Sequence, residues 1–193
     1  MAITLTSDAI ITAADAEALL SWEPGPELTL AINSVSARFL KFTGRQRITS
    51  GALVQTVALP PAQVPTVYLR AAPVDTGETF TVEVYQDGAS VETLTDSDYD
   101  LEDVGGRLFL NGHNSTGNRS TRRLVISYTG GWSTVPGDVV ESAVHYMRLN
   151  RRRRDGMVGA SSVSSDSTAT ATVSNIGNIP PEVADVWQAY KVY

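Results

Sequence analysis

The apolar positions of this chain change their spacing twice. They recur at intervals of three and four up to about residue 46, alternate with polar positions between about residues 47 and 130, and then return to the longer intervals. Intervals of three and four put side chains on one face of an α-helix, whereas alternation puts them on one face of a strand. The pattern predicts helices at both ends of the chain and a block of strands between them.

Four helices are predicted, and their starts are marked by Thr12, Pro26, Pro136 and Pro180. Thr12 suits the N-cap of a short helix over residues 13–20, because Asp15 stands at the third helical position. Proline is favoured in the first turn of a helix, which supports the start at Pro26. Gly44 is a typical residue for the end of that second helix.

About six short strands are predicted between the helical regions. The run from Phe80 to Tyr85 is β-branched and aromatic, and Asp87-Gly88 after it is a tight-turn signal. Short strands joined by turns form antiparallel sandwiches or small barrels. The sequence therefore predicts an α+β fold, a small discontinuous bundle of about four helices with an inserted antiparallel β-sandwich or barrel-like domain.

The predicted domain boundaries follow from these changes of pattern. Residues 1–46 and 131–193 form the helical domain, and residues 47–130 form the inserted β-domain. Within the helical domain, residues 158–178 consist largely of Ser, Thr, Ala and Gly, which is typical of a flexible linker or arm. Residues 179–193 are predicted to form a C-terminal docking helix.

The charge is distributed unevenly around a modest net value of −6. Ten acidic and no basic residues lie between Arg70 and Arg107, whereas nine arginines and two acidic residues lie from Arg107 to Arg154. Such a subunit could place its acidic surface against the basic surface of another copy, although two solvated faces would give the same pattern. The chain has no cysteine, which excludes disulfide scaffolds and thiolate metal sites and fits folding in a reducing cytoplasm.

The sequence offers little for catalysis. Its two histidines, His113 and His145, do not form a metal-ligand spacing, and neither a Gly-x-Ser-x-Gly motif nor a P-loop accompanies them. The alternating Asp96, Asp98 and Asp100 depart from a calcium loop, which requires glycine at its sixth position and glutamate at its twelfth. We expect a protein that is not an enzyme, with no catalytic residue, no metal site and no cofactor.

Two clusters are candidate interaction sites. The first is basic and comprises Arg148, Arg151, Arg152, Arg153 and Arg154. It is either a solvated helix end or a contact with an acidic partner or a DNA backbone. The second is the last helix, which is too short to be stable alone and carries Trp187 and Tyr190 as typical docking anchors. Its target is the core of its own chain, a neighbouring copy or another protein.

The stretch Tyr128-Thr-Gly-Gly-Trp-Ser-Thr-Val-Pro-Gly-Asp138 resembles the core signature of the gp6-like head–tail connector (adaptor) family of tailed phages. The closing Ile179-Pro-Pro-Glu-Val and Trp187-Gln-Ala-Tyr190-Lys191, and the earlier Phe42-Thr-Gly44-Arg45, are also similar to that family. The strand block is larger than in the smallest members, and the Ser/Thr/Ala linker is long. These departures leave the position in the phage neck open.

The resemblance implies a structural virion protein, a head-to-tail connector or adaptor that forms a ring, typically a dodecamer, under the portal. Such a ring extends the DNA channel and provides the platform for the tail. The implied partners are other copies, the portal protein, a tail or stopper (neck) protein and passing double-stranded DNA without sequence specificity, with no membrane. The implied location is the virion neck, assembled in the host bacterial cytoplasm. The implied portal or subunit docking residues are Ile179, Pro180, Val183, Val186, Trp187, Tyr190 and Tyr193.

Two hypotheses and two alternatives accompany this interpretation. In the hypotheses, the linker and last helix order only on docking, and the acidic strand block lines or rims the DNA channel. One alternative is a tail-completion or stopper protein of the same neck. The other is a ligand-binding β-module on a helical scaffold, whose site would use aromatic residues that equally suit a sandwich core: Tyr68, Phe80, Tyr85, Tyr99 and Phe109.

Overall fold

The computed structural model describes residues 3–59, 66–111, 122–154 and 179–192. These residues form four helices and seven strands. The helices are α1 (Ala13–Leu20), α2 (Pro26–Thr43), α3 (Gly137–Arg154) and α4 (Pro181–Gln188). The strands are β1 (Gly51–Leu59), β2 (Thr66–Tyr68), β3 (Thr81–Gln86), β4 (Ala89–Leu94), β5 (Tyr99–Glu102), β6 (Arg107–Leu110) and β7 (Arg122–Gly130).

The strands form two antiparallel sheets. One has four strands in the order β1-β7-β3-β4, and the other has three in the order β2-β6-β5. Neither sheet closes into a barrel over the described strands. Both contribute to one apolar core, whose buried residues include Val67, Leu69, Val82, Leu108, Leu124, Ile126 and Tyr128. The predicted α+β class, with helices and an antiparallel sandwich-like strand block, is confirmed.

Strand β4 was not predicted from the sequence. Five of its six residues are exposed, so its sequence, Ala-Ser-Val-Glu-Thr-Leu, lacks the apolar alternation that marks a half-buried strand. The tight turn before it was predicted correctly. Asp87 and Gly88 have φ angles of 50° and 92°, as a two-residue hairpin turn with two left-handed positions requires.

The N-cap predicted for α1 is also confirmed. The backbone N–H of Asp15 donates to Thr12 Oγ1 over 3.1 Å, and the Thr12 hydroxyl donates to the Asp15 carboxylate over 2.6 Å. The cap satisfies a backbone donor that an isolated helix start would leave unpaired. An eight-residue helix with a mixed composition thereby begins at a defined residue.

The chain divides into two compact units. One comprises Met1–Phe39 and Val135–Tyr190 and is called the helical unit below; the other comprises Leu40–Thr134 and Lys191–Tyr193 and is called the strand unit. Buried side chains from α2, α3 and α4 form the core of the helical unit, including Ile32, Val35, Phe39, Val139, Ala143, Met147, Val183 and Trp187. The strand unit has the sandwich core described above.

Candidate interaction surfaces

The C-terminal helix α4 is centred on Trp187. This side chain is 0% exposed, and its ring meets Phe39 edge-on, with 5.4 Å between centroids and an angle of 88°. The ring of Tyr146 lies 5.9 Å away in a tilted contact. The indole nitrogen donates to Ser142 Oγ over 2.9 Å, so the polar atom of the tryptophan is satisfied inside the core.

Further contacts attach α4 to α3. Val183, one turn before Trp187, is also buried. The Tyr190 hydroxyl lies 2.8 Å and 2.9 Å from the two carboxylate oxygens of Asp138 at the start of α3. Toward the other end of α4, Glu182 Oε1 lies 3.2 Å from His145 Nε2. The helix is therefore held at both ends and in its middle.

The predicted docking residues divide into two groups. Pro180, Val183 and Trp187 are buried within the helical unit, whereas Ile179, Val186 and Tyr190 are half-buried, and Tyr193 lies outside the described residues. Of the three targets left open by the sequence, the structure places the tryptophan in the core of its own chain. The hypothesis that α4 orders only when it meets a partner does not describe this arrangement, because α4 already packs against α2 and α3 of its own chain.

The basic cluster at the end of α3 is partly engaged within the helical unit. Arg148 donates from Nη2 to the backbone carbonyl of Leu19. The guanidinium of Arg151 lies 4.6 Å from the centroid of the Trp22 ring, in the range of a cation–π contact. Arg152 is exposed, and the side chains of Arg153 and Arg154 lie outside the described set. The structure thus ties the first two arginines to α1 and the residues after it.

The acidic residues of the strand unit lie between residues 71 and 106, called the acidic segment below. They are Asp75, Glu78, Glu83, Asp87, Glu92, Asp96, Asp98, Asp100, Glu102 and Asp103, and none is fully buried. Part of the segment has a structural role, because the Asp98 carboxylate accepts the backbone N–H of Thr95 over 2.7 Å. Burial raises the pKa of Tyr99 to about 12, and its 3.0 Å hydrogen bond to Asp96 adds to the shift.

The stretch that precedes α3 packs backbone against backbone. A Cβ atom at Gly130 would collide with the carbonyl of Ala71, and one at Gly131, whose φ is 106°, would collide with the carbonyl of Thr49. Beside them the Arg45 guanidinium lies 4.3 Å from the centroid of the Trp132 ring. This geometry requires two consecutive glycines, a requirement that the sequence pattern did not indicate.

Gln55 was not singled out from the sequence, yet it connects both sheets of the strand unit. It is 5% exposed, donates to the Tyr68 carbonyl over 2.8 Å and accepts from the backbone N–H of Arg70 over 2.9 Å. The Tyr128 hydroxyl donates to the same amide oxygen over 3.2 Å and accepts from the Ala71 N–H over 3.1 Å. Burial raises the pKa of Tyr128 to about 12. The one sequence signal for this buried hydrogen-bond network was a polar residue at a position where the alternation of β1 calls for an apolar one.

The aromatic residues proposed for a ligand-binding module take different positions in the strand unit. Tyr99 is buried, and Phe80 packs 5.5 Å from it and 6.2 Å from Tyr128, so these rings belong to the core. Tyr85 lies under the Arg123 guanidinium at 5.2 Å. Tyr68 is 40% exposed. It lines a cavity of about 520 Å³ together with Gly44, Gln55, Val57, Thr66, Val67, Arg70 and Val192.

Within the described ranges, no group of three or more His, Asp or Glu side chains is placed to hold a metal ion. His113 lies outside those ranges, and His145 is exposed beside Glu182. None of the helices in the described part of the chain has the length and apolar character needed to cross a membrane.

Two solved structures share this fold over its full length. A chain in the neck of an empty GTA particle, computed with C6 symmetry, matches 100% of this chain and 95% of its own length, with 14% identity and a TM-score of 0.57. A chain in the virion of a native gene transfer agent (GTA) particle matches with the same coverages, 16% identity and a TM-score of 0.54. No protein-family model and no curated protein matches the sequence. At these identities the likeness establishes a common fold.

Proposed function

We propose that this protein is a structural subunit of the neck of a phage-like particle. In this proposal it is a head-to-tail connector (adaptor) that forms a ring under the portal, extends the DNA channel and provides the platform for the tail. The observation that carries the proposal is the agreement in fold over 100% of the chain with a chain of a GTA neck. A match of that extent includes the helices and the strand block together.

The residues that resemble the connector family give independent support. The stretch from Tyr128 to Asp138 contains the two glycines that backbone contacts require, and it ends at the carboxylate that accepts the Tyr190 hydroxyl. These positions are therefore constrained by packing in this chain. The motif positions thus have packing roles in this chain, as the architecture implied by the resemblance would require.

The charge distribution supports assembly of copies into a ring around DNA. Adjacent copies can place the acidic segment of one against a basic surface of the next, and each added contact is reinforced by ring closure. Where the acidic segment faces the channel, its carboxylates repel the phosphate backbone, so DNA passes without being held. The exposed Arg152, with Arg153 and Arg154, would contact an acidic protein partner or the DNA backbone.

The docking role of the C-terminal segment takes a specific form in this proposal. The buried Val183 and Trp187 anchor α4 to its own unit, and the half-buried Ile179, Val186 and Tyr190 form the surface offered to the portal or an adjacent subunit. Pro180 supports the start of the helix, and Tyr193 completes the segment at its end. Helix α4 thus acts as a preformed contact element, which reduces the entropy lost on binding.

The assembly itself is tested by native mass spectrometry with negative-stain imaging, on the purified protein alone and mixed with its portal. We expect rings, or a monomer that forms rings on the portal. A monomer that does not bind the portal would contradict the proposal. A screen for ligands such as glycans would then test the alternative of a ligand-binding β-module. Binding to a completed connector but not to the bare portal would identify the protein as a stopper of the same neck.

The docking surface is tested by point substitution. Deleting residues 179–193 would remove Trp187 and Val183 from the core, so loss of binding would not separate docking from folding. Val186→Glu changes the half-buried surface, and Gln188→Glu introduces the same charge at an exposed position of the same helix. We expect Val186→Glu to weaken portal or subunit binding at least about tenfold, equal to about 1.4 kcal/mol, and Gln188→Glu to leave it unchanged. Equal binding by both variants would exclude this face.

A further inference from the structure

The described strands of the strand unit leave four sheet edges, and three of them carry the features by which proteins prevent strand addition. Strand β2 has three residues in the described part of the chain, β5 has four and carries Asp100 and Glu102, and β4 carries Glu92 and a register shift in its pairing with β3. Short length, charge and irregular register all block pairing with another strand. Strand β1 has none of these. Its nine residues, Gly-Ala-Leu-Val-Gln-Thr-Val-Ala-Leu, are uncharged, and its pairing with β7 is continuous.

The hydrogen-bonding direction of β1 follows from its neighbours. The backbone N–H of Asp75 donates to the Thr129 carbonyl, so the backbone N–H and C=O groups of Thr129 point away from β1. Thr129 pairs in register with Ala52 of β1, whose own backbone groups therefore point away from β7. The Ala52 carbonyl instead accepts from Arg47 over 3.0 Å. Because backbone groups alternate along a strand, Val54 and Thr56 also direct their N–H and C=O groups away from β7. No described strand pairs with this outer edge of β1.

The side chains that β1 itself places next to this edge are small and uncharged, and the Arg47 guanidinium lies beside its first residues, at the Ala52 carbonyl. Ala52, Val54, Thr56 and Ala58 are all exposed, and Val54 is 63% exposed. A long, regular and uncharged edge strand is the kind that recruits another strand. A partner that suits such an edge is extended and uncharged, because the residues of β1 offer no opposite charge to a charged segment.

We propose that residues 167–173 of a neighbouring copy, Ser-Thr-Ala-Thr-Ala-Thr-Val, add to the outer edge of β1 as a fifth strand. This segment lies outside the described residues, is uncharged and alternates threonine with alanine or valine. Threonine and valine are favoured in strands. The proposal rests on the ring of the proposed function. One donor segment and one acceptor edge per copy link copies head to tail, and such links give a ring when the rotation between successive copies closes.

The chain is long enough for this exchange. Residues 155–178 lie between the end of α3 at Arg154 and Ile179, with 12 residues before the donor segment (155–166) and 5 after it (174–178). At about 3.3 Å per extended residue, these spans reach about 40 Å and about 17 Å. The second distance is a constraint, because it requires the neighbour's β1 to lie close to the donor's residue 179.

Disulfide cross-linking tests the exchange directly, since the chain has no cysteine of its own. One preparation carries Val54→Cys, and a second carries Thr170→Cys or Ala171→Cys, which place the thiol on opposite faces of the donor segment. The two are mixed before ring assembly, with or without portal, and then oxidised. Facing Cβ atoms in paired strands lie about 4.5–5.5 Å apart, close enough for a disulfide to form with small adjustments. Because each chain has one thiol, every mixed disulfide joins two copies.

The matched control is Val91→Cys on β4, where valine is 55% exposed on the protected edge of the same sheet. We expect mixed dimers with Val54→Cys and one of the two donor variants, and at least about tenfold fewer with Val91→Cys. Equal yields at the two positions, or rings without cross-links, would overturn the inference while leaving the ring intact. A Val54→Cys preparation that mainly cross-links to itself would overturn it in favour of pairing between two β1 strands.

A backbone substitution gives a second test. Thr56→Pro removes an N–H that points away from β7, and Thr56→Val keeps that N–H with a similar side-chain volume. We expect the proline variant to raise the concentration needed for ring formation at least about tenfold relative to the valine variant. Equal assembly by the two variants would overturn the inference. Circular dichroism checks that the proline variant is folded. If it is not, the disulfide cross-linking experiment still tests the inference.

Discussion

Trp187 Nε1 donates a hydrogen bond to Ser142 Oγ over 2.9 Å, and both side chains are buried in the helical unit. The same hydroxyl donates to the Val139 carbonyl over 2.8 Å, so Ser142 is satisfied in both roles. An eight-residue helix has little stability alone, and this buried contact between α4 and α3 supplies what its length does not. The C-terminal helix is therefore a component of the core as well as a candidate contact surface.

Replacing Trp187 should destabilise the helical unit strongly. Trp187→Ala leaves a cavity beside Phe39 and Tyr146, and such truncations cost about 3–5 kcal/mol. Ser142→Ala keeps the ring but leaves a buried indole N–H without its acceptor, at about 1–3 kcal/mol. Both losses are measured by urea unfolding, monitored by far-ultraviolet circular dichroism because this signal does not depend on the replaced tryptophan. Gln188→Ala, at an exposed position of the same helix, should change the free energy of unfolding by less than about 0.5 kcal/mol.

An unchanged urea midpoint for Trp187→Ala would contradict the packing of α4 against α3. It would mean that the helix leaves α3 in solution and that its aromatic face is available to a partner. The original hypothesis of a helix that orders on docking would then be favoured.

The glycines before α3 provide a matched pair of substitutions. Gly131→Ala places a Cβ against the Thr49 carbonyl at a φ of 106°, and we expect it to lower the free energy of unfolding by more than about 1 kcal/mol. Gly137→Ala, where nothing lies within 4 Å of the added Cβ, should be neutral or slightly stabilising. Chemical denaturation compares them, and equal effects would show that backbone packing at Gly131 is loose.

Stability should fall at high pH because of two tyrosines. Burial raises the pKa of Tyr128 and of Tyr99 from 10.0 to about 12 in the folded chain. Between these values the unfolded chain loses protons that the folded chain keeps, so the free energy of unfolding decreases as pH rises. This contribution is complete below pH 10 and is lost as pH rises to about 12. Denaturant unfolding across this range should be less pH-dependent in Tyr128→Phe, and an identical slope would contradict the assignment.

Reversing charge in the acidic segment should increase DNA binding. Glu78→Lys and Glu92→Lys together replace two exposed carboxylates of the strand unit. In assembled rings we expect tighter, salt-sensitive binding of double-stranded DNA, because lysines next to phosphates release counterions. Glu141→Lys, at an exposed position of α3, is the control for each single substitution and should have less effect than either of them. Binding that does not distinguish the two positions would place the acidic segment away from the channel.

Much of the fold could be predicted from local signals. Helix starts at Thr12 and Pro26, and the turn at Asp87-Gly88, depend on capping and on φ preferences that act within a few residues. Strand β4 could not be found in this way, because an exposed edge strand needs its neighbour β3 rather than an apolar pattern of its own. Gln55 was missed because its partners, Tyr68, Arg70 and Tyr128, lie 13 or more residues away in sequence.

The sequence by itself determined the α+β class and the succession of helices, strand block and helices, since periodicity, caps and turn residues are local properties of the chain. It also predicted that Trp187 packs against another surface, because so short a helix is not stable alone. Only the tertiary structure decided which surface receives that side chain, which sheet edges are protected and which backbone carbonyls exclude a side chain at Gly130 and Gly131. Those properties depend on residues distant in sequence that folding brings within contact distance, and local patterns carry no record of them.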